Sequence, residues 1–151
     1  MVDTAQPRRW PAHAMALLFL CYAVGKAALA LQSRLGFPGG PPVSAAEAER
    51  YFLDPATAQW CAAATGVLGA VLALATVTPL GRRLPRALML LVLAGMLLAV
   101  GGGAGILILD GFVGMGIGWR WYHGVLGIVV IGLLLAMIRS YETATRRHAA
   151  G

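Results

Sequence analysis

The chain has 151 residues, of which 59% are hydrophobic and only 12% charged, with a net charge of +6. Soluble domains average about 25% charged residues, so this composition, with a mean hydropathy of +0.75, excludes a water-soluble fold for most of the chain. The basic excess alone would fit a nucleic-acid partner, but the charges flank apolar runs instead of forming a patch, which argues for no nucleic acid and for a lipid bilayer as the solvent.

Residues 1–11 form a short polar tail bearing Arg8 and Arg9, and Pro11 suits the first turn of a helix. Four apolar runs come next, at 12–33, 59–80, 85–109 and 113–138. Each reaches the ~20 residues that cross a hydrocarbon layer ~30 Å thick at ~1.5 Å per residue. The reading is all-α: a four-helix transmembrane bundle forming a single domain over 1–151. Arg8, Arg9, Arg82, Arg83, Arg86, Arg139, Arg146 and Arg147 fall on one side if the runs alternate, and Arg34, Arg50 and Arg120 on the other. Short basic loops stay cytoplasmic, so both termini are expected inside a bacterial inner membrane, N-in and C-in. The first run also has a secretory leader's pattern of basic residues, apolar stretch and Ala28-Leu29-Ala30. Removal of residues 1–30 would leave three spans and take Lys26 away, and the intact mass separates the two forms.

Glycine and proline from Gly36 to Pro42 end the first run. In the outer loop 34–58, Ser44-Ala45-Ala46-Glu47 is a capping box. It predicts a short helix over 45–53 lying along the membrane surface, stopped by Asp54-Pro55, before Gln59-Trp60 opens the second run. That run spaces Ala62, Gly66 and Ala70 four apart, the small-residue pattern of close helix packing in lipid. Pro79 and Gly81 end it, and a tight Arg-rich turn makes the second and third runs an antiparallel hairpin. The third run closes on Gly101, Gly102, Gly103, Ala104 and Gly105, a thin surface expected at a helix–helix contact. The glycine-rich stretch 110–118 lacks the strand and helix of a phosphate-binding loop and reads as a flexible or re-entrant outer turn. Trp119, Trp121 and Tyr122 then anchor the fourth run, which starts near Trp119 on this reading.

Lys26 carries the sharpest functional signal, because a charge inside the hydrocarbon costs ~2.5–3.5 kcal/mol on insertion scales. Snorkelling, a structural ion pair and a ligand- or ion-binding role are its three readings. Its candidate partners are Asp110, Arg120, His123, Gln32, Gln59 and Thr65, with Glu47, Glu49 and Asp54 reaching in from the surface helix. Tyr22 shares its helix face at an offset of four. Lys26, Tyr22, Asp110, Arg120 and His123 are thus the expected ligand-binding set of an outward-facing polar pocket.

His123 has no second histidine at its depth, since His13 and His148 lie at the other side. Neither haem nor a metal is expected, and no cofactor is called for. Cys21 and Cys61 differ in depth by ~15 Å, beyond the ~7 Å a disulfide spans, so both are expected as free thiols. No Ser–His–Asp set, HExxH, P-loop or paired acid is present, and an enzyme is disfavoured.

The stretch from Tyr22 through Lys26 to Gly36-Phe37-Pro38-Gly39-Gly40, with Trp119-Arg120-Trp121-Tyr122-His123-Gly124, resembles uncharacterised small four-helix integral membrane proteins of high-GC actinobacteria. The resemblance implies the fold and brings no catalytic residue. The leading functional expectation is a non-enzymatic multi-pass protein that binds a partner membrane protein, a second copy of itself, or a lipid. The alternatives are a small transporter or channel component, and a lipid- or isoprenoid-modifying membrane enzyme.

Overall fold

The computed structural model describes residues 9–149; the polar tail through Arg8 lies outside them. Six helices occur in chain order: α1 (Trp10–Leu31), α2 (Ala45–Glu49), α3 (Pro55–Ala75), α4 (Pro79–Arg83), α5 (Arg86–Val113) and α6 (Trp121–Ala149). Four of them, α1, α3, α5 and α6, are long and apolar enough to cross a membrane. Their outward faces carry side chains such as Leu31, Leu91 and Leu98, which would be costly in water but not in lipid.

Local chemistry sets the helix ends. Pro11 occupies the first turn of α1, where its missing N–H has no partner to lose. The helix closes with Ser33 in the left-handed region, at φ 49°. The Ser33 amide donates to Ala30 O and the Arg34 amide to Leu29 O, both at 3.0 Å, which is the Schellman pattern with serine in the usual glycine position. The capping box at α2 forms: Ser44 Oγ accepts from the Glu47 amide, and the Glu47 carboxylate accepts from the Ser44 amide at 3.0 Å. The helix stops at Glu49, however, short of the expected 45–53, and buries none of its residues.

Helix α3 begins four residues before the hydropathy edge at Gln59. Asp54 caps it, accepting from the Ala56 amide at 2.9 Å, with Pro55 in its first turn. Thus the dipeptide that stops one helix starts the next. Helix α5 runs unbroken through Gly101–Gly105 and ends at Gly114, whose φ of 77° gives a left-handed cap. Helix α6 starts at Trp121.

The packing groups α1 with α3 and α5 with α6, and α1 against α6 joins the two pairs. Helices α3 and α5, consecutive across the 76–85 turn, run antiparallel but are not one of the main packed pairs. All four long helices meet at the end that carries this turn, the turn end. Met15, Ala73, Met89, Leu93, Leu134 and Met137 form the buried core there. On α3, Gly66 and Gly69 lie against α1, where an added Cβ would meet the Tyr22 and Phe19 side chains at 3.0 and 2.7 Å. Ala70, on the same helix, is buried in the core, and Ala62 is half-buried. The glycines of α5 differ: at Gly101, Gly102, Gly103 and Gly105 nothing lies within 4 Å of an added Cβ. Helix α6 packs on the same stretch through Ala104, whose carbonyl lies 2.8 Å from where a Gly127 Cβ would be, so the open space is on the glycine side alone.

Candidate functional site

At the opposite end, the loop end, the 32–44 segment folds back over the bundle. Gly25 permits this, since the Pro38 ring occupies the space a Cβ would need on α1. Phe37 packs edge-on against Trp119, with centroids 5.3 Å apart.

Three polar side chains pin the loop end, and all use backbone groups. His123 is one. A carbonyl only accepts, so Nε2 carries the proton and donates to Gly39 O at 3.0 Å, while Nδ1 accepts the Arg120 amide at 3.1 Å. The hydrogen bonds therefore assign the Nε2–H tautomer. One imidazole caps the first turn of α6 and tethers the first loop to it. Asp110, at the end of α5, accepts from the Trp119 amide at 2.7 Å and the Ile117 amide at 3.2 Å, which organises the glycine-rich 114–120 connection. Gln59 is the third. Its Nε2 donates to Arg34 O at 3.1 Å and Gly36 O at 3.0 Å, fixing the loop to the top of α3.

Lys26 meets no acid within 4.0 Å among the described residues. Its Nζ donates to Gly36 O at 2.6 Å. The ammonium also stands 5.5 Å from the Tyr22 ring centre and 5.7 Å from that of Phe37, within cation–π range. The loop thus brings a carbonyl and an aromatic face down to a lysine that would otherwise lie unpartnered in α1.

A cleft of about 720 Å³ opens at this end. Lys26, Gln59, Glu47 and Tyr51 supply its polar lining, and Phe37 and Trp119 are among its apolar walls. Gln59 is 2% exposed, and its Oε1 is buried with no hydrogen-bond donor.

Of the five residues expected to bind ligand, the structure places Lys26 on the cleft and Tyr22 against its ammonium. Asp110 and His123 are buried, engaged with backbone groups of the two connections. Arg120 is exposed, with its guanidinium 5.9 Å from the Tyr122 ring centre. Gln59, expected as a possible partner of Lys26, instead bonds two loop carbonyls, and the carbonyls of Gly36 and Gly39 emerge as site groups that the sequence did not single out. The only available signal was the glycine–proline loop, which frees carbonyls from regular structure.

Both cysteines are free and exposed. Among the described residues no three His, Cys, Asp or Glu side chains are grouped to hold a metal. Comparison with protein families, with curated proteins and with solved structures gave no match.

Proposed function

We propose that the protein is a non-enzymatic, multi-pass binding protein of a bacterial inner membrane that holds a lipid by its headgroup in the loop-end cleft. The observation that carries this reading is Lys26: a cation with no acidic partner among the described residues, facing a cleft that mixes polar groups with apolar walls such as Phe37, Val43, Ile117 and Trp119. Such a surface suits an amphiphile with an anionic group. A cleft lining with one carboxylate and no serine, cysteine or histidine supports binding over acyl transfer of the Ser–His or Cys–His kind. The arginine distribution in the sequence supports both termini lying in the cytoplasm, with the cleft facing outward.

Native mass spectrometry from mild detergent tests this reading. The wild-type chain is expected to carry a lipid adduct, and Lys26→Met to lose it while keeping its helicity. A wild-type spectrum without lipid refutes it.

A second reading, a neighbouring membrane protein or second copy packed along α5, is favoured by the uncovered glycines from Gly101 to Gly105. The same spectrum reports it as a higher mass.

A further inference from the structure

We infer that the headgroup taken by this cleft is zwitterionic, a phosphate ester carrying an N–H donor, of the phosphoethanolamine class. This rests on the lipid-binding reading above and specifies its chemistry.

The cleft asks for an acceptor and a donor together. Lys26 has three N–H groups, and one of them is committed to Gly36 O. The remaining two favour an anion. Gln59 presents the opposite need. Both N–H groups of its amide are used, on Arg34 O and Gly36 O. Turning the amide over would set its oxygen against two carbonyl oxygens, so the network fixes its orientation. Oε1 is left buried without a donor, a condition that few native polar atoms show. Since Lys26 Nζ and Gln59 Nε2 meet the same Gly36 oxygen, at 2.6 and 3.0 Å, the two requirements fall within the span of one small headgroup. Oε1 lies beneath the first loop, so that loop must give way for the donor to reach it.

Charge and shape narrow the class further. Glu47 lines the same cleft; its carboxylate hydrogen-bonds only to Ser44, with the Arg50 charge also acting on it, and it adds negative potential that suits a positive group beside the phosphate. A trimethylammonium group would have that charge but no N–H for Gln59. It would also compete poorly for the Tyr22 and Phe37 faces, since Lys26 already stands over both. A glycerol headgroup would supply O–H donors without the cation that suits Glu47.

The test is a lipid titration of the full chain in mild detergent, read by native mass spectrometry, with matched acyl chains and four headgroups: ethanolamine, N,N-dimethylethanolamine, choline and glycerol. Ethanolamine is expected to bind about tenfold more tightly than choline. The dimethyl form, which retains one N–H, should group with ethanolamine. Lys26→Gln should weaken all four. Equal binding of choline and ethanolamine, or tighter binding of the glycerol headgroup, overturns the inference even though lipid is bound. Binding of none of the four overturns the lipid reading itself. Free phosphoethanolamine binding as tightly as the lipid would also overturn it, since the ligand would then be a soluble zwitterion.

Discussion

His123 makes two separable bonds, and that permits a sharp test of how the loop end is held. Replacing it with alanine removes the Nε2–H bond to Gly39 O and the acceptor for the Arg120 amide. Each neutral hydrogen bond contributes about 1 kcal/mol net. The edge-on contact with Trp119, at 4.9 Å between centroids, adds about 0.5–1.5 kcal/mol. The loop end should therefore lose about 3 kcal/mol, which corresponds to a roughly 100-fold rise in the open population. Amide hydrogen exchange on the protein in lipid nanodiscs reads this directly. The reporters are the Gly40 amide, bonded to Phe37 O at 2.9 Å, and the Arg120 amide. His123→Gln places an N–H donor near the Nε2 position and should preserve protection at Gly40 while losing it at Arg120. His123→Asn places an acceptor near Nδ1 and should do the reverse. If alanine leaves Gly40 exchange unchanged, or if glutamine and asparagine behave alike, the tether is not what holds the loop.

The same geometry sets four further outcomes. Leu93→Ala, at a fully buried core position, should cost about 2–5 kcal/mol, whereas Leu98→Ala, 79% exposed, should stay within about 0.5 kcal/mol; unfolding in matched micelles compares them. Gly66→Ala puts a methyl 3.0 Å from Ala23 Cβ and 3.1 Å from Phe19 O and should destabilise by about 1–3 kcal/mol. Gly102→Ala, with nothing within 4 Å, should be neutral or gain up to about 1 kcal/mol; parallel thermal melts decide. Ser33→Gly relieves a left-handed serine and should raise stability by about 1 kcal/mol, read in the same melts. The Ser44 hydroxyl and amide hold the Glu47 carboxyl below its usual range. The Glu47 contribution to α2 is therefore complete above the ordinary glutamate pKa and lost as pH falls through the lower folded value. NMR Cα shifts over Ala45–Glu49 should move toward coil in that window, and Glu47→Ala should remove the dependence.

The four spans were legible because length and apolarity alone decide them. The capping box at Ser44 was equally legible, being local chemistry at fixed spacing. Helix limits were less so, and Asp54-Pro55 shows why: an N-cap with proline after it closes one element and opens another, so the hydropathy edge misses the boundary. Glycine patterns did not reveal which way they face. Gly66 packs on α1, while Gly102, in an equally small-residue stretch, faces open space where a Cβ would be. The rotation of a helix about its axis is set by its neighbours, not by its own spacing. For Lys26 the sequence offered side chains as partners, Asp110 and the loop carboxylates among them, because side chains are what a sequence names. The actual partner is the Gly36 carbonyl. Every residue has such a group, and only the path of the loop decides which one arrives. Gln59 was visible as a polar residue near Lys26, but its unmet oxygen depends on where two loop carbonyls settle.

The pairing of α1 with α3 and of α5 with α6 bears on how the chain is made. Each long helix finds its principal partner in the next or previous span to leave the ribosome. Insertion can therefore proceed two spans at a time. On that route the first pair can assemble before synthesis of the second is finished, leaving the docking of two finished halves as the last step. A break placed in the 76–85 turn should accordingly yield two fragments that reassemble when coexpressed, whereas a break inside either pair should not.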